Sequence, residues 1–171
     1  YRKPGGKHGF MLARFLQDGT VDTGFGIAGI ATASLQKYSD VLSRVAEQAD
    51  GKLVAAGYSE SKPASKGKFR DFALVRVNVD GSLDTGFAGG KVLQDFNAGR
   101  DEAGALWVLP SGNIVAAGGA DAGQGQALGL AVFRPDGTLD TSAIPTGKQT
   151  VYYPGAKGTT IKAMQQQADG K

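Results

Sequence analysis

Phe72-Ala73-Leu74-Val75-Arg76-Val77-Asn78-Val79-Asp80-Gly81-Ser82-Leu83-Asp84-Thr85-Gly86-Phe87 decides the fold, because its second half is written three times along the chain. Asp80-Gly81-Ser82-Leu83-Asp84-Thr85-Gly86 is matched upstream by Asp18-Gly19-Thr20-Val21-Asp22-Thr23-Gly24 and downstream by Asp136-Gly137-Thr138-Leu139-Asp140-Thr141-Ser142, at spacings of 62 and 56 residues. A second motif is interleaved with it. It reads Ala49-Asp50-Gly51-Lys52-Leu53-Val54-Ala55-Ala56-Gly57, then Pro110-Ser111-Gly112-Asn113-Ile114-Val115-Ala116-Ala117-Gly118, and begins again at Ala168-Asp169-Gly170-Lys171. Self-similarity at such a period is the signature of a repeat architecture.

Each Asp-Gly or Ser-Gly stands between two short apolar runs, which predicts tight hairpins with primed turns, since Gly and Asp tolerate positive φ. The runs before the first motif, Phe10-Met11-Leu12-Ala13-Arg14-Phe15, Phe72-Ala73-Leu74-Val75-Arg76-Val77 and Leu128-Gly129-Leu130-Ala131-Val132-Phe133, read as strands whose side chains alternate between two faces. Lys91-Val92-Leu93-Gln94-Asp95-Phe96 and Ala105-Leu106-Trp107-Val108-Leu109 add two more strands to a unit. Four strands in roughly 57 residues is the content of a β-propeller blade, whereas one coil of a β-solenoid is far shorter. The expected fold is therefore all-β, with blades of four antiparallel strands, A to D, in one partial propeller and repeat units at approximately 1–57, 58–118 and 119–171. Aligning Tyr1 with Tyr58 and Lys171 with Lys52 gives two whole blades plus flanking parts. Since a propeller closes with about four to eight blades, the remaining blades are expected from the same longer polypeptide or from other chains.

Composition agrees with many short strands. The chain has 171 residues, 41% apolar and 20% charged, with 27 glycines, which suits a globular chain that turns often. The absence of cysteine excludes disulfides, thiolate metal sites and cysteine nucleophiles. No apolar run has the length of a transmembrane helix, so no membrane span is expected, and Tyr1-Arg2-Lys3-Pro4-Gly5-Gly6 lacks a signal-peptide core.

The pairing of the Phe72 to Phe87 stretch with Ala49-Asp50-Gly51-Lys52-Leu53-Val54-Ala55-Ala56-Gly57-Tyr58 resembles the delta-60 repeat family of bacterial proteins. The resemblance covers nearly the whole chain and implies a β-propeller and a secreted or cell-surface location. It transfers no functional residue. In the third unit Val132 stands where Arg14 and Arg76 stand, and Ala143 where Phe25 and Phe87 stand, which marks a less regular blade.

The A–B and C–D connections read as short and alike, while the B–C and D–A connections vary, which makes the B–C and D–A rim the candidate binding face. Two B–C loops are basic: Arg2, Lys3 and Lys7 beside His8 in one, and Lys62, Lys66, Lys68 and Arg70 in the next. Gathered on one rim, these side chains suit an anionic polymer such as an acidic glycan, lipopolysaccharide or nucleic acid. Lysines at loop tips also serve solubility alone, and the third B–C segment, Ala120-Asp121-Ala122-Gly123-Gln124-Gly125-Gln126, is not basic.

The paired aspartates (Asp18 with Asp22, Asp80 with Asp84, Asp136 with Asp140) offer oxygens of the kind that bind calcium, but their spacing is not that of an EF-hand loop. Asp also bonds its own downstream backbone in turns, and that structural reading is preferred, with no metal site. His8 is the single histidine and has no evident triad partner. Gly86-Phe87-Ala88-Gly89-Gly90 opens no helix, so it is not read as a phosphate loop. Phe25 and Trp107 read as blade-packing aromatics, and Glu47 and Gln166 as polar positions facing the channel or solvent. With no cofactor and no catalytic residue indicated, the leading function is a non-catalytic binding or scaffold module. The rivals are a hydrolase or lyase whose funnel site is completed by further blades, and a lectin-like binder of anionic glycans.

Overall fold

The computed structural model describes residues 1–2, 8–36, 38–61, 69–152, 154–155, 161, 163–165 and 167, which carry ten strands. Strands β1 (Phe10–Ala13) and β2 (Ile30–Ala33) form an antiparallel pair. Strands β3 (Asp40–Glu47), β4 (Leu53–Glu60), β5 (Arg70–Val77) and β6 (Lys91–Gln94) form one four-stranded sheet, and β7 (Glu102–Val108), β8 (Ile114–Asp121), β9 (Gln126–Phe133) and β10 (Lys148–Val151) form another. Within each sheet every strand pairs antiparallel with the strands next to it in the chain, so each four-stranded sheet is a meander in the A to D order that the repeat spacing predicts. A short 3-10 turn at Ala88–Gly90 interrupts the β5–β6 connection, and among the described residues no helix is long and apolar enough to cross a membrane.

The period-two pattern of the central strands buries both faces of the middle sheet. From β4 and β5, Val54, Ala56, Phe72 and Leu74 pack with Ile114, Ala116, Ala131 and Phe133 of the following sheet. The alternate residues Ala55, Ala73, Val75 and Val77 pack with Phe10, Phe25, Ala31 and Ala33 of the preceding pair. Large side chains on one sheet share each core with alanines on the next, and each fully buried Phe, Leu or Val contributes about 1.5–3 kcal/mol. Phe25 lies in this core, as its reading as a packing residue requires.

The turns are tight but not primed. In the β3–β4 turn, Gly51 N–H donates to Gln48 O at 2.9 Å and Gln48 N–H to Lys52 O at 2.8 Å, and among the turn residues only Gly51 has positive φ, at 79°. This is a type I turn closed by a left-handed glycine bulge, a geometry that needs positive φ at one residue where a primed turn needs it at one or both of its central positions. The same pair of bonds recurs at Gly19, Gly81, Gly112 and Gly137. Nor are the C–D connections short. After Asp80-Gly81, one bridge between Val77 and Leu83 turns the chain back, and residues 84–90 then travel to β6. The connection at 134–147 repeats this course through the bridge of Phe133 with Leu139.

Candidate functional site

The B–C and D–A connections share one rim, and an aspartate at the start of each A strand fastens it: Asp40 opens β3 and Asp101 directly precedes β7. Asp40 and Asp101 are both fully buried and stand 61 residues apart, the same interval as the A–B turns. Asp40 accepts the Leu35 N–H at 3.0 Å and the Ser59 hydroxyl at 2.5 Å, while Asp101 accepts the Phe96 N–H at 2.8 Å and the Asp121 N–H at 2.7 Å. Each aspartate thus folds the D–A connection before it onto the B strand of its own blade. Their own N–H groups donate across the junction, Asp40 to His8 O at 3.0 Å and Asp101 to Arg70 O at 2.8 Å.

Around Arg70 the rim is a closed polar cluster. The guanidinium lies 4.2 Å over the Tyr58 ring, 3.4 Å from Glu60 Oε1, and bonds Glu102, which Arg100 also meets at 3.0 Å. Arg70 Nε is buried without a hydrogen-bond partner among the described residues. Burial raises the Tyr58 phenol above its ordinary value, against the opposing charge of Arg70. Next to this cluster, Asp71, Asp95 and Asp101 bring carboxylate oxygens within 4.8 Å of one another. Burial drives Asp101 up to about 6 and raises Asp71 as well, although Gln36 Nε2 donates to Asp71 at 3.1 Å. These three are the one grouping among the described residues with cation-ligating separation, and both oxygens of Asp101 are already held by backbone donors.

The basic residues expected at this rim are placed unevenly. Arg2 is exposed and bridges His8. Lys3, Lys7, Lys62, Lys66 and Lys68 lie outside the described residues. Arg70 is not a loop-tip residue: it begins β5, its side chain is 11% exposed, and Glu60 and Glu102 neutralise its charge. The two loop bases do converge, since Ser39 accepts the His8 N–H on Oγ at 3.4 Å and the Glu60 N–H on its carbonyl at 2.8 Å.

The paired aspartates at the opposite end are spent on turns and junctions. Asp18, Asp80 and Asp136 each accept the N–H two residues ahead at 2.9 Å and a hydroxyl at 2.6 Å from Thr20, Ser82 and Thr138, and these side-chain bonds hold all three carboxyls below the usual range. Asp84 is buried, which alone would raise it, but Lys52 at 2.9 Å, the Gly86 N–H and Arg76 at 2.7 Å outweigh burial and lower it. Asp140 is lowered chiefly by the Ser142 hydroxyl, and Asn113 Nδ2 at 2.6 Å takes the place that Lys52 holds on Asp84. Sequence reading passed over Tyr58, Glu60, Asp71, Asp101 and Glu102. The 61-residue echo of Asp40 in Asp101 was the available signal.

Comparison with known proteins agrees with this architecture. Residues 48–87 and 109–142 match a family model described as a domain of unknown function (DUF5122), β-propeller. No match is found among curated proteins. The two matched stretches cover both A–B turns and both C–D turns of the four-stranded sheets, and the fold is all-β, of β-propeller type, with two four-stranded antiparallel blades and a two-stranded pair among the described residues.

Proposed function

We propose that this chain belongs to a bacterial repeat protein of the delta-60 type, secreted or held at the cell surface, and acts as a non-catalytic scaffold whose B–C and D–A rim binds an anionic polymer. The observation that carries the reading is Ser39, which ties the base of the first B–C loop at His8 to the base of the second at Glu60. Further bonds from Ser61 N–H to Phe69 O at 3.2 Å and from Arg70 N–H to Gly99 O at 3.0 Å hold the ends of the second loop. A fixed base lets lysines gather charge without the entropic cost of ordering a whole loop. Lys3, Lys7, Lys62, Lys66 and Lys68 supply that charge, with Arg2 beside them, while Arg70 orients the stem through its ion pairs.

Retention on heparin at increasing salt tests the proposal. The chain binds at low salt, and replacing Lys62, Lys66 and Lys68 with Ser lowers the slope of log affinity against log salt by roughly 2–3, as expected when three cationic contacts no longer release counterions. The melting temperature stays unchanged, because the bonds of Ser39, Ser61 and Arg70 that hold the stem are left in place. Failure of heparin and of single-stranded nucleic acid to bind at low salt rejects the polymer ligand.

A further inference from the structure

A carboxylate taken out of water keeps its charge at low cost only where a cation meets it. At the end of the molecule opposite the rim, both junctions between consecutive units satisfy that demand. Arg14 Nε donates to Asp22 and Arg76 Nε to Asp84, each at 2.7 Å, and each guanidinium lies 4.6 Å over a phenylalanine ring, Phe25 or Phe87. Both arginines reach on to a carbonyl in the next unit's turn, that of Val79 or Pro135. Asp101 at the rim is fully buried, yet among the described residues no cation pairs with it. The cations of the adjoining elements are taken: Arg70 by Glu60 and Glu102, Arg100 by Glu102, and Lys148 by the carbonyl of Asp95.

What Asp101 faces instead is like charge. Asp71 of β5 and Asp95 of the D–A connection bring carboxylate oxygens within 4.8 Å of its own. Burial first, and then Asp95 and Asp71, raise its carboxyl to about 6 against the two backbone donors. From β8, Asp121 gives Asp101 its N–H but turns its own carboxylate to the Gly123 N–H at 2.6 Å, and Gln36, from the preceding D–A connection, is neutral and donates to Asp71. The first clasp lacks this crowd. With Phe10 aligned on Phe72 and Leu35 on Phe96, Gly9 stands where Asp71 stands and Ser34 where Asp95 stands. Asp40 therefore ties its D–A connection to its B strand with no further carboxylate at either position.

We infer that Asp101 is a proton-operated catch on the D–A connection at residues 95–101: carrying its proton it holds that connection onto β8, and losing the proton releases the connection to water. The neutral acid accepts the Phe96 and Asp121 N–H groups, and the adjacent carboxylates of Asp71 and Asp95 are acceptors for its hydroxyl. The ionised acid leaves like charges together without a cation, and it reaches water only when the connection lifts. Lifting breaks the bonds from Asp101 N–H to Arg70 O and from Arg70 N–H to Gly99 O, so the stem of the second B–C loop loosens with it. Closed, the carboxyl keeps its proton up to about pH 6; open, it titrates near the ordinary 3.8. The closed form binds more protons between those values, so closure weakens as pH rises through them and levels off above 6.

Amide hydrogen exchange of the unaltered chain, resolved by residue and corrected for the intrinsic pH dependence of exchange, tests the catch without any ligand. Between about pH 4.5 and 7.5 the protection of Phe96 and Asp121 is expected to fall at least about tenfold, as linkage requires for a group that holds its proton more tightly when closed. Throughout, it should stay below the protection of β4 and β5 and be insensitive to low denaturant, the marks of local opening. Leu35, tied to Asp40 in the first clasp, should change by less than about threefold. Asp101→Asn is expected to abolish the fall, and Asp95→Ser, which gives the second clasp the residue of the first, to reduce it. No fall in the unaltered chain, an equal fall at Leu35, or protection at Phe96 and Asp121 that matches β4 and β5 at every pH overturns the inference. So does a fall that persists in Asp101→Asn.

Discussion

Arg76 and Arg14 make the same contacts in different surroundings, and the difference sets what each is worth. The Arg76 side chain is 7% exposed, so Arg76→Ala leaves Asp84 with Lys52 as its remaining cation and bares the Phe87 ring; thermal or urea unfolding should show a loss of about 3 kcal/mol, as for breaking a buried ion pair. Arg14 is 34% exposed, and Arg14→Ala should cost about 1 kcal/mol in the same measurement. Asp101 predicts a pH dependence. Its folded carboxyl keeps its proton up to about pH 6, whereas the unfolded one loses it near 3.8, so the folded state binds more protons between those values. Stability therefore falls as pH rises through that window, by an amount on the order of 2–3 kcal/mol, and Asp71 adds in the same direction. Melting temperatures between pH 4 and 7 should show the decline, and Asp101→Asn should flatten it.

Among the elements, β4 and β8 hold the sharpest sequence constraint. Gly57 and Gly118 interrupt the runs Ala55-Ala56 and Ala116-Ala117, and a Cβ at either would lie 1.9 Å from the carbonyl of Val41 or Glu102 on the neighbouring A strand. Both face β-bulges, between Leu42 and Arg44 and between Ala103 and Ala105. Gly57→Ala or Gly118→Ala must therefore push two backbones apart, and each should destabilise by more than about 2 kcal/mol, against the fraction of a kcal/mol that Gly→Ala gains at an unhindered strand site. Strand number, order and pairing were legible in the sequence because hydrophobic alternation and Asp-Gly spacing are local signals. The bulges were equally legible through a glycine inside an apolar run, but that signal was read only as part of the repeat. The long C–D path was not legible, because Asp84-Thr85-Gly86 imitates a strand exit while the cation that holds Asp84 from outside its own hairpin, Lys52, lies 32 residues away in the chain. The charge of Arg70 was misplaced because one of its two partners, Glu102, comes from the next blade, 32 residues on, while Glu60 comes from the strand beside it.

In the whole molecule, stability is distributed by stacking, so a sheet with one covered face is looser than a sheet with two. Strands β1 and β2 bury Phe10 and Ala31 against the middle sheet while Met11 and Ile30 stay exposed on the other side. Their amides should exchange with deuterium at least about tenfold faster than those of β4 and β5, which are covered on both faces. Circular dichroism should give a helical fraction below about a fifth, against the usual third. The junctions also bear on how such a protein changes in size over generations. What Arg14 and Arg76 recognise in the following unit is main chain, the carbonyls of Val79 and Pro135, of which one residue has a branched side chain and the other a ring closed on its own backbone nitrogen. A duplicated unit therefore arrives already compatible with its neighbour, since substitutions at that position leave the recognised atoms in place. Lengthening the array by tandem duplication demands no matched pair of mutations, and a unit that loses its arginine and phenylalanine together, as at Val132 and Ala143, gives up this joint while still presenting Gly137 to the unit before it.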